Sequence, residues 1–122
     1  MRAAIIRATM ANAPVGDKKI FSYDEALAML PEVQRLTEEA YRRVEALGAI
    51  AAGGSNADTD GKLNEIVNDW ACTLAERGLE VKGLWLVDWD NGSGYYCWRY
   101  PEDGLHYYHS YEEGFGGRMR IH

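Results

Sequence analysis

The stretch YYCWRYPEDGLHYYH, residues 95–109, sets six aromatic rings, one cysteine and two histidines into fifteen positions. Large rings alternating with other residues at a period of two form β-strands, and PEDG between two such runs has the residues of a hairpin turn. Upstream, KGLWLVDWD (82–90) repeats the period and NGSG (91–94) repeats the turn character. From Val81 onward the chain therefore reads as a three-stranded antiparallel β-meander. Hairpin loops of two and four residues share a parity, so either reading of NGSG puts Leu84, Leu86 and Asp88 on the face that carries Cys97 and Arg99. Trp85, Val87 and Trp89 then share the opposite face with Tyr96, Trp98 and Tyr100. The third strand has two registers. A four-residue PEDG loop brings His106 and Tyr108 to the Cys97 face, whereas a three-residue loop with a bulge at Gly104 sets His109 directly across from Cys97.

A sheet this small must bury one face to be stable, and the residues before it supply the cover. In FSYDEALAMLPEVQRL, Ser22 and Glu25 have capping-box spacing and Phe21 is placed to pack on Ala26 as a hydrophobic staple, so a helix begins at Tyr23. Pro31 lacks the N–H that an inner helical turn needs, which predicts a kink or a restart there. Beyond it Val33, Leu36, Ala40, Val44, Leu47 and Ala51 recur at helical spacing, with Glu38–Arg42 and Glu39–Arg43 as outward pairs. GGSNADTDG (53–61) collects turn formers and reads as a loop. A second helix over about 62–77 carries Leu63, Ile66, Val67, Trp70 and Leu74 on one side and ends at Gly78. The fold class is α+β: a long helical hairpin, its first helix kinked near Pro31, followed by the three-stranded meander. The helical stripes are wider than one hairpin covers, which predicts a homodimer through the long helix.

Composition narrows the partners. The chain has 122 residues and a formal net charge of −6, which fits one domain over residues 20–122 and gives no basic surface for nucleic acid. Residues 1–19, with Pro14, Gly16 and Lys18-Lys19, read as a flexible leader. There is no apolar run of membrane-spanning length and no signal-peptide core. The two cysteines, Cys72 and Cys97, fall in different predicted elements, which points to a reducing cytoplasm rather than a disulfide framework.

The residues GLWLVDWDNGSGYYCWRYPEDGLHYYHSYEEGFGGR resemble a small bacterial family known only as a domain of unknown function, DUF2203. The matching positions are Phe21, Ser22, Glu25, Ala26, Leu30 and Pro31 in the first helix. They continue with Val87-Asp88-Trp89, Tyr96-Cys97-Trp98, Tyr107-Tyr108-His109 and Gly114-Phe115-Gly116-Gly117-Arg118, so the resemblance covers nearly all the chain after residue 20. Trp89 and Tyr108 depart from the family's ring types. The resemblance implies a helical hairpin with a small sheet and implies no activity.

The sheet face away from the helices is where a site would lie. Asp88, Cys97, Glu102 and His109 combine hard and soft donors of the kind that bind zinc or iron, and the bulged register would line up Asp88, Cys97 and His109 across three strands. Asp88, Arg99 and Arg118 are the candidate ligand-binding groups, with Arg118 on the GFGGR glycines as an anchor for an anion or a salt-bridge partner of Asp88 or Glu102. A nucleophilic use of Cys97 with His109 as base suits the residue types, but mid-strand cysteines are usually buried and inert. The leading expectation is a non-catalytic binding or assembly module that oligomerises through its helices and offers the meander to a small ligand, a metal or a protein partner. The alternative is a small zinc, iron or thiol enzyme using Asp88, Cys97, Glu102 and His109.

Overall fold

The computed structural model describes residues 19–50 and 57–121. Two helices, α1 (Tyr23–Ile50) and α2 (Ala57–Glu76), precede five strands: β1 (Glu80–Gly83), β2 (Leu86–Asp90), β3 (Gly94–Arg99), β4 (Tyr107–Ser110) and β5 (Met119–Arg120). The strands form one antiparallel sheet in chain order. The leader expectation falls, Lys19 apart, outside the described residues. Among the described residues no helix is long and apolar enough to cross a membrane.

The start of α1 follows from its capping box. Ser22 N–H donates to Glu25 Oε1 at 2.8 Å and Glu25 N–H donates back to Ser22 Oγ at 3.1 Å. Phe21 and Ala26 are both buried, as the staple requires. The helix runs unbroken through Pro31, so the expected restart is absent and the expected kink is not shown. Pro31 and Leu27, whose carbonyl loses its helical partner, are both exposed, and water can take up that carbonyl. Glu38 pairs with Arg42 as the spacing predicts, while Glu39 reaches back to Arg35.

The second helix begins earlier than expected, because Asp58 and Asp60 in its first turn suit the positive end of the helix dipole and Asp58 pairs with Lys62 at 3.6 Å. Its end is as read. Gly78 lies at φ 88°, Gly78 N–H bonds to Ala75 O at 2.9 Å and Leu79 N–H bonds to Leu74 O at 3.1 Å, a glycine-terminated Schellman end. Between the helices, the indole N–H of Trp70 donates to the buried Thr37 hydroxyl at 2.9 Å. This satisfies two polar groups inside an apolar seam.

The sheet has five strands rather than three. The run KGLWLVDWD is two strands joined by a tight turn at Leu84-Trp85, with Trp85 at φ 64°. Leu84 is therefore an exposed turn residue rather than part of the Cys97 face. Gly83 flanks this reversal, but neither Leu84 nor Trp85 is a turn-forming type. Aromatic packing holds it: the Trp85 ring stacks edge-on to Trp70 at 4.9 Å and Tyr41 at 6.0 Å, and Trp85 O accepts from Tyr100 N–H at 3.0 Å. The added strand β5 is two residues long, pairing Tyr107 with Arg120 and Tyr108 with Met119.

One face of the sheet meets the helices as predicted. Val87, Trp89 and Trp98 join Phe21, Leu30, Val33, Ile66, Leu74 and Leu105 in the core. Trp98 is fully buried and its indole N–H is bonded to Glu102 O at 2.9 Å. Replacing it removes both packing and a satisfied donor, so Trp98→Ala should cost about 3–5 kcal/mol in urea unfolding. A loss under about 1 kcal/mol would contradict this account of the core.

Candidate metal centre

The second face owes its composition to register. β2 and β3 pair with Asp88 opposite Cys97 and Leu86 opposite Arg99, the parity that the NGSG hairpin dictates. β3 and β4 pair with Cys97 opposite Tyr107 and Tyr95 opposite His109. His109 therefore shares the face of Cys97, as in the bulged register, but lies two residues further along than a direct cross-strand position. The slip comes from the connection after β3, which is longer than PEDG alone and is folded on itself: Glu102 Oε1 accepts from Arg99 N–H at 2.8 Å and Glu102 N–H donates to Arg99 O at 2.8 Å. Gly94 permits the close approach of β3 and β4, since a Cβ there would collide with the carbonyl oxygen of His109.

Asp88, Cys97 and His109 are all buried, and one ligand atom from each lies within 4.8 Å of the others. The histidine is held from both sides. Its Nδ1 lies 2.8 Å from Ser110 O and its Nε2 lies 2.9 Å from Asp88 Oδ2. A backbone carbonyl can only accept, so Nδ1 carries a proton and donates it there. Nε2 then faces a carboxylate, which when ionised can also only accept. Two lone pairs cannot share that contact: either a proton lies between Nε2 and Oδ2, or a cation binds both. The other oxygen of the same carboxylate, Asp88 Oδ1, is buried without a hydrogen-bond partner among the described residues. A buried carboxylate oxygen in that state is costly, and a cation would relieve it.

The surrounding groups set the electrostatics. Lys82 Nζ lies 3.5 Å from Asp88 Oδ2, 3.5 Å from Glu80 Oε1 and 3.8 Å from the centre of the Tyr95 ring. Desolvation pulls the ammonium of Lys82 down, but Asp88, Tyr95 and Glu80 together outweigh it and hold the group above the ordinary lysine range. Tyr95 packs against His109 at 5.3 Å and against Tyr111 at 5.2 Å. For Cys97, burial pushes the thiol upward and the neighbouring Asp88 carboxylate adds to it, while the guanidinium of Arg118 pulls the other way. The free thiol thus stays protonated and is a poor nucleophile.

The remaining sequence-predicted residues fall around this group rather than in it. Glu102 binds Arg118, Oε2 to Nη2 at 2.8 Å and Oε1 to Nη1 at 3.0 Å, and is spent on that pair and on Arg99 N–H. Arg118 lies between the rings of Tyr107 at 4.0 Å and Phe115 at 4.1 Å, so the C-terminal segment packs against the Cys97 face. Arg99 is exposed beside Phe115. Lys82 and Tyr95 were missed from sequence. Tyr95 was visible as the residue two before Cys97 on the same face, but Lys82 could be found only by reading Leu84-Trp85 as a turn.

These features define a helical hairpin carrying an antiparallel meander, with an Asp/Cys/His cluster buried on the sheet face away from the helices. Residues 19–121 match the model of an uncharacterised conserved protein family, DUF2203, and the chain belongs to that family. Searches of curated proteins and of solved structures find no match.

The burial difference between the two cysteines is directly measurable. Cys72 is exposed and Cys97 buried, so the native, metal-free protein should present one thiol to an aromatic disulfide reagent and the second only after denaturation. Rapid reaction of both in the native state would contradict the enclosed geometry.

Proposed function

We propose that this chain is a non-catalytic metal-binding module, with Asp88, Cys97 and His109 as three protein ligands to a single zinc or iron ion. The observation that carries the reading is the pinned histidine. Ligating histidines commonly donate their second ring N–H to a carbonyl or carboxylate, which fixes the tautomer and aims the free nitrogen at the metal. Ser110 O supplies that partner here, and Asp88 stands where a second ligand would. The donor set of thiolate, imidazole and carboxylate suits zinc or iron. A tetrahedral ion holds such atoms about 3.3–3.8 Å apart, from metal–ligand distances of about 2.0–2.3 Å. With the three atoms within 4.8 Å of one another, small side-chain adjustments suffice.

The burial that keeps Cys97 protonated argues against a thiol enzyme and is compatible with a ligand, because metal binding drives the proton off. Uptake should therefore release at least one proton, and apparent affinity should rise about tenfold per pH unit for each proton released while the Cys97 thiol remains protonated in the free protein.

Tag-free protein loaded with zinc and desalted should retain one equivalent by plasma mass spectrometry. Cys97→Ser and His109→Ala should each lose most of it while keeping the native far-ultraviolet circular dichroism spectrum. Metal at background in the wild-type protein, or full retention in both folded variants, would overturn the reading.

A further inference from the structure

Three protein ligands leave a tetrahedral ion with a fourth position, and the groups beside the cluster say what it would accept. Lys82 touches Asp88 at 3.5 Å and, with its side chain 36% exposed, reaches from the buried carboxylate to solvent. The ammonium has three donors and no acceptor. Arg118, the cation beside Cys97, is likewise donor-only, and its charge is met by Glu102. Once a divalent ion occupies Asp88, the carboxylate's attraction for Lys82 is largely taken over by the metal. That leaves Lys82 with Glu80, whose Oε1 also accepts from the Tyr95 hydroxyl at 3.2 Å. A fourth ligand on the Lys82 side of Asp88 would meet an ammonium that shares its donors with Glu80, and the metal beyond it.

Resting on the metal reading above, we propose that the fourth position takes a small carboxylate, one oxygen on the metal and the other on Lys82. Asp88 and Cys97 bring two negative charges to a divalent ion, so the loaded centre is neutral and does not repel such an anion. A bound water keeps a single neutral lone pair for Lys82, whereas a carboxylate keeps a charged oxygen for it. A carboxylate presents acceptors to both cations and gives a charge-assisted hydrogen bond to Lys82.

Cobalt(II) is the probe, because its thiolate charge-transfer band reports Cys97 ligation and its visible d–d bands report the coordination shell. Sodium acetate is titrated into the cobalt-loaded wild-type protein, Lys82→Met and Lys82→Arg at constant pH and ionic strength. The expected result is a saturable change of the visible bands in the wild type, weakened about tenfold or more in Lys82→Met and retained within a few-fold in Lys82→Arg, with the thiolate band present in all three. Visible bands that ignore acetate, or that respond equally in Lys82→Met, overturn this proposal and leave the metal reading standing. Failure of the wild-type protein to develop the thiolate band overturns both.

Discussion

The pairing of β2 with β3 in the register that opposes Asp88 to Cys97 is the constraint from which both halves of the structure follow. A strand's side chains alternate, so one choice of register assigns every residue to a face. Val87, Trp89 and Trp98 go to the helices and close the core, and Asp88 and Cys97 are forced to the other side. A slip of one residue in β2 would turn Val87 and Trp89 out to solvent and send Asp88 and Asp90 into the apolar seam. The cost of that exchange, a buried tryptophan and valine lost and two carboxylates desolvated, is far larger than any preference the short NGSG turn could express. The cluster is therefore as rigidly specified as the core, because the same ladder specifies both.

A sheet face away from its helices is ordinarily wet, yet here Asp88, Cys97 and His109 are buried. Tyr95 packs on His109, Lys82 lies against Asp88, and the guanidinium of Arg118, stacked on Tyr107 and Phe115, lies beside Cys97. Ionisable groups are seldom enclosed unless paired or bound to metal. The partners present include Lys82 and His109 for one oxygen of Asp88, while the second oxygen is left without a hydrogen bond among the described residues. This imbalance, more than the identity of the residues, is what makes the cluster a candidate centre rather than a chance neighbourhood.

Much of this was legible in the residues. Ser22 with Glu25, the helical spacing from Val33 to Leu47, and Gly78 after a basic residue are local signals whose physics operates within a few residues, and each appears as read. The parity of a short hairpin is equally local, which is why Asp88 and Cys97 were placed together. The failures share a different cause. The turn at Leu84-Trp85 is stabilised by Trp70 and Tyr41 from distant helices, and nothing in the dipeptide announces it. Missing that turn hid β1, and with β1 the position of Lys82. The register of β4 depends on Glu102 folding back onto Arg99, and the short β5 depends on Arg118 being clamped by Glu102. In each case tertiary contacts overrule a weak local preference.

The claim on which the account stands is that His109 is held as a donor through Nδ1 and presents Nε2 to Asp88 and to a metal. Long-range proton–nitrogen correlation spectra of the imidazole, recorded on the metal-free protein and again with one equivalent of zinc, test it most directly. The account predicts a protonated Nδ1 in both spectra and an Nε2 that moves to a metal-bound shift when zinc is added. An Nδ1 that lacks its proton, or an Nε2 unchanged by zinc, would contradict it.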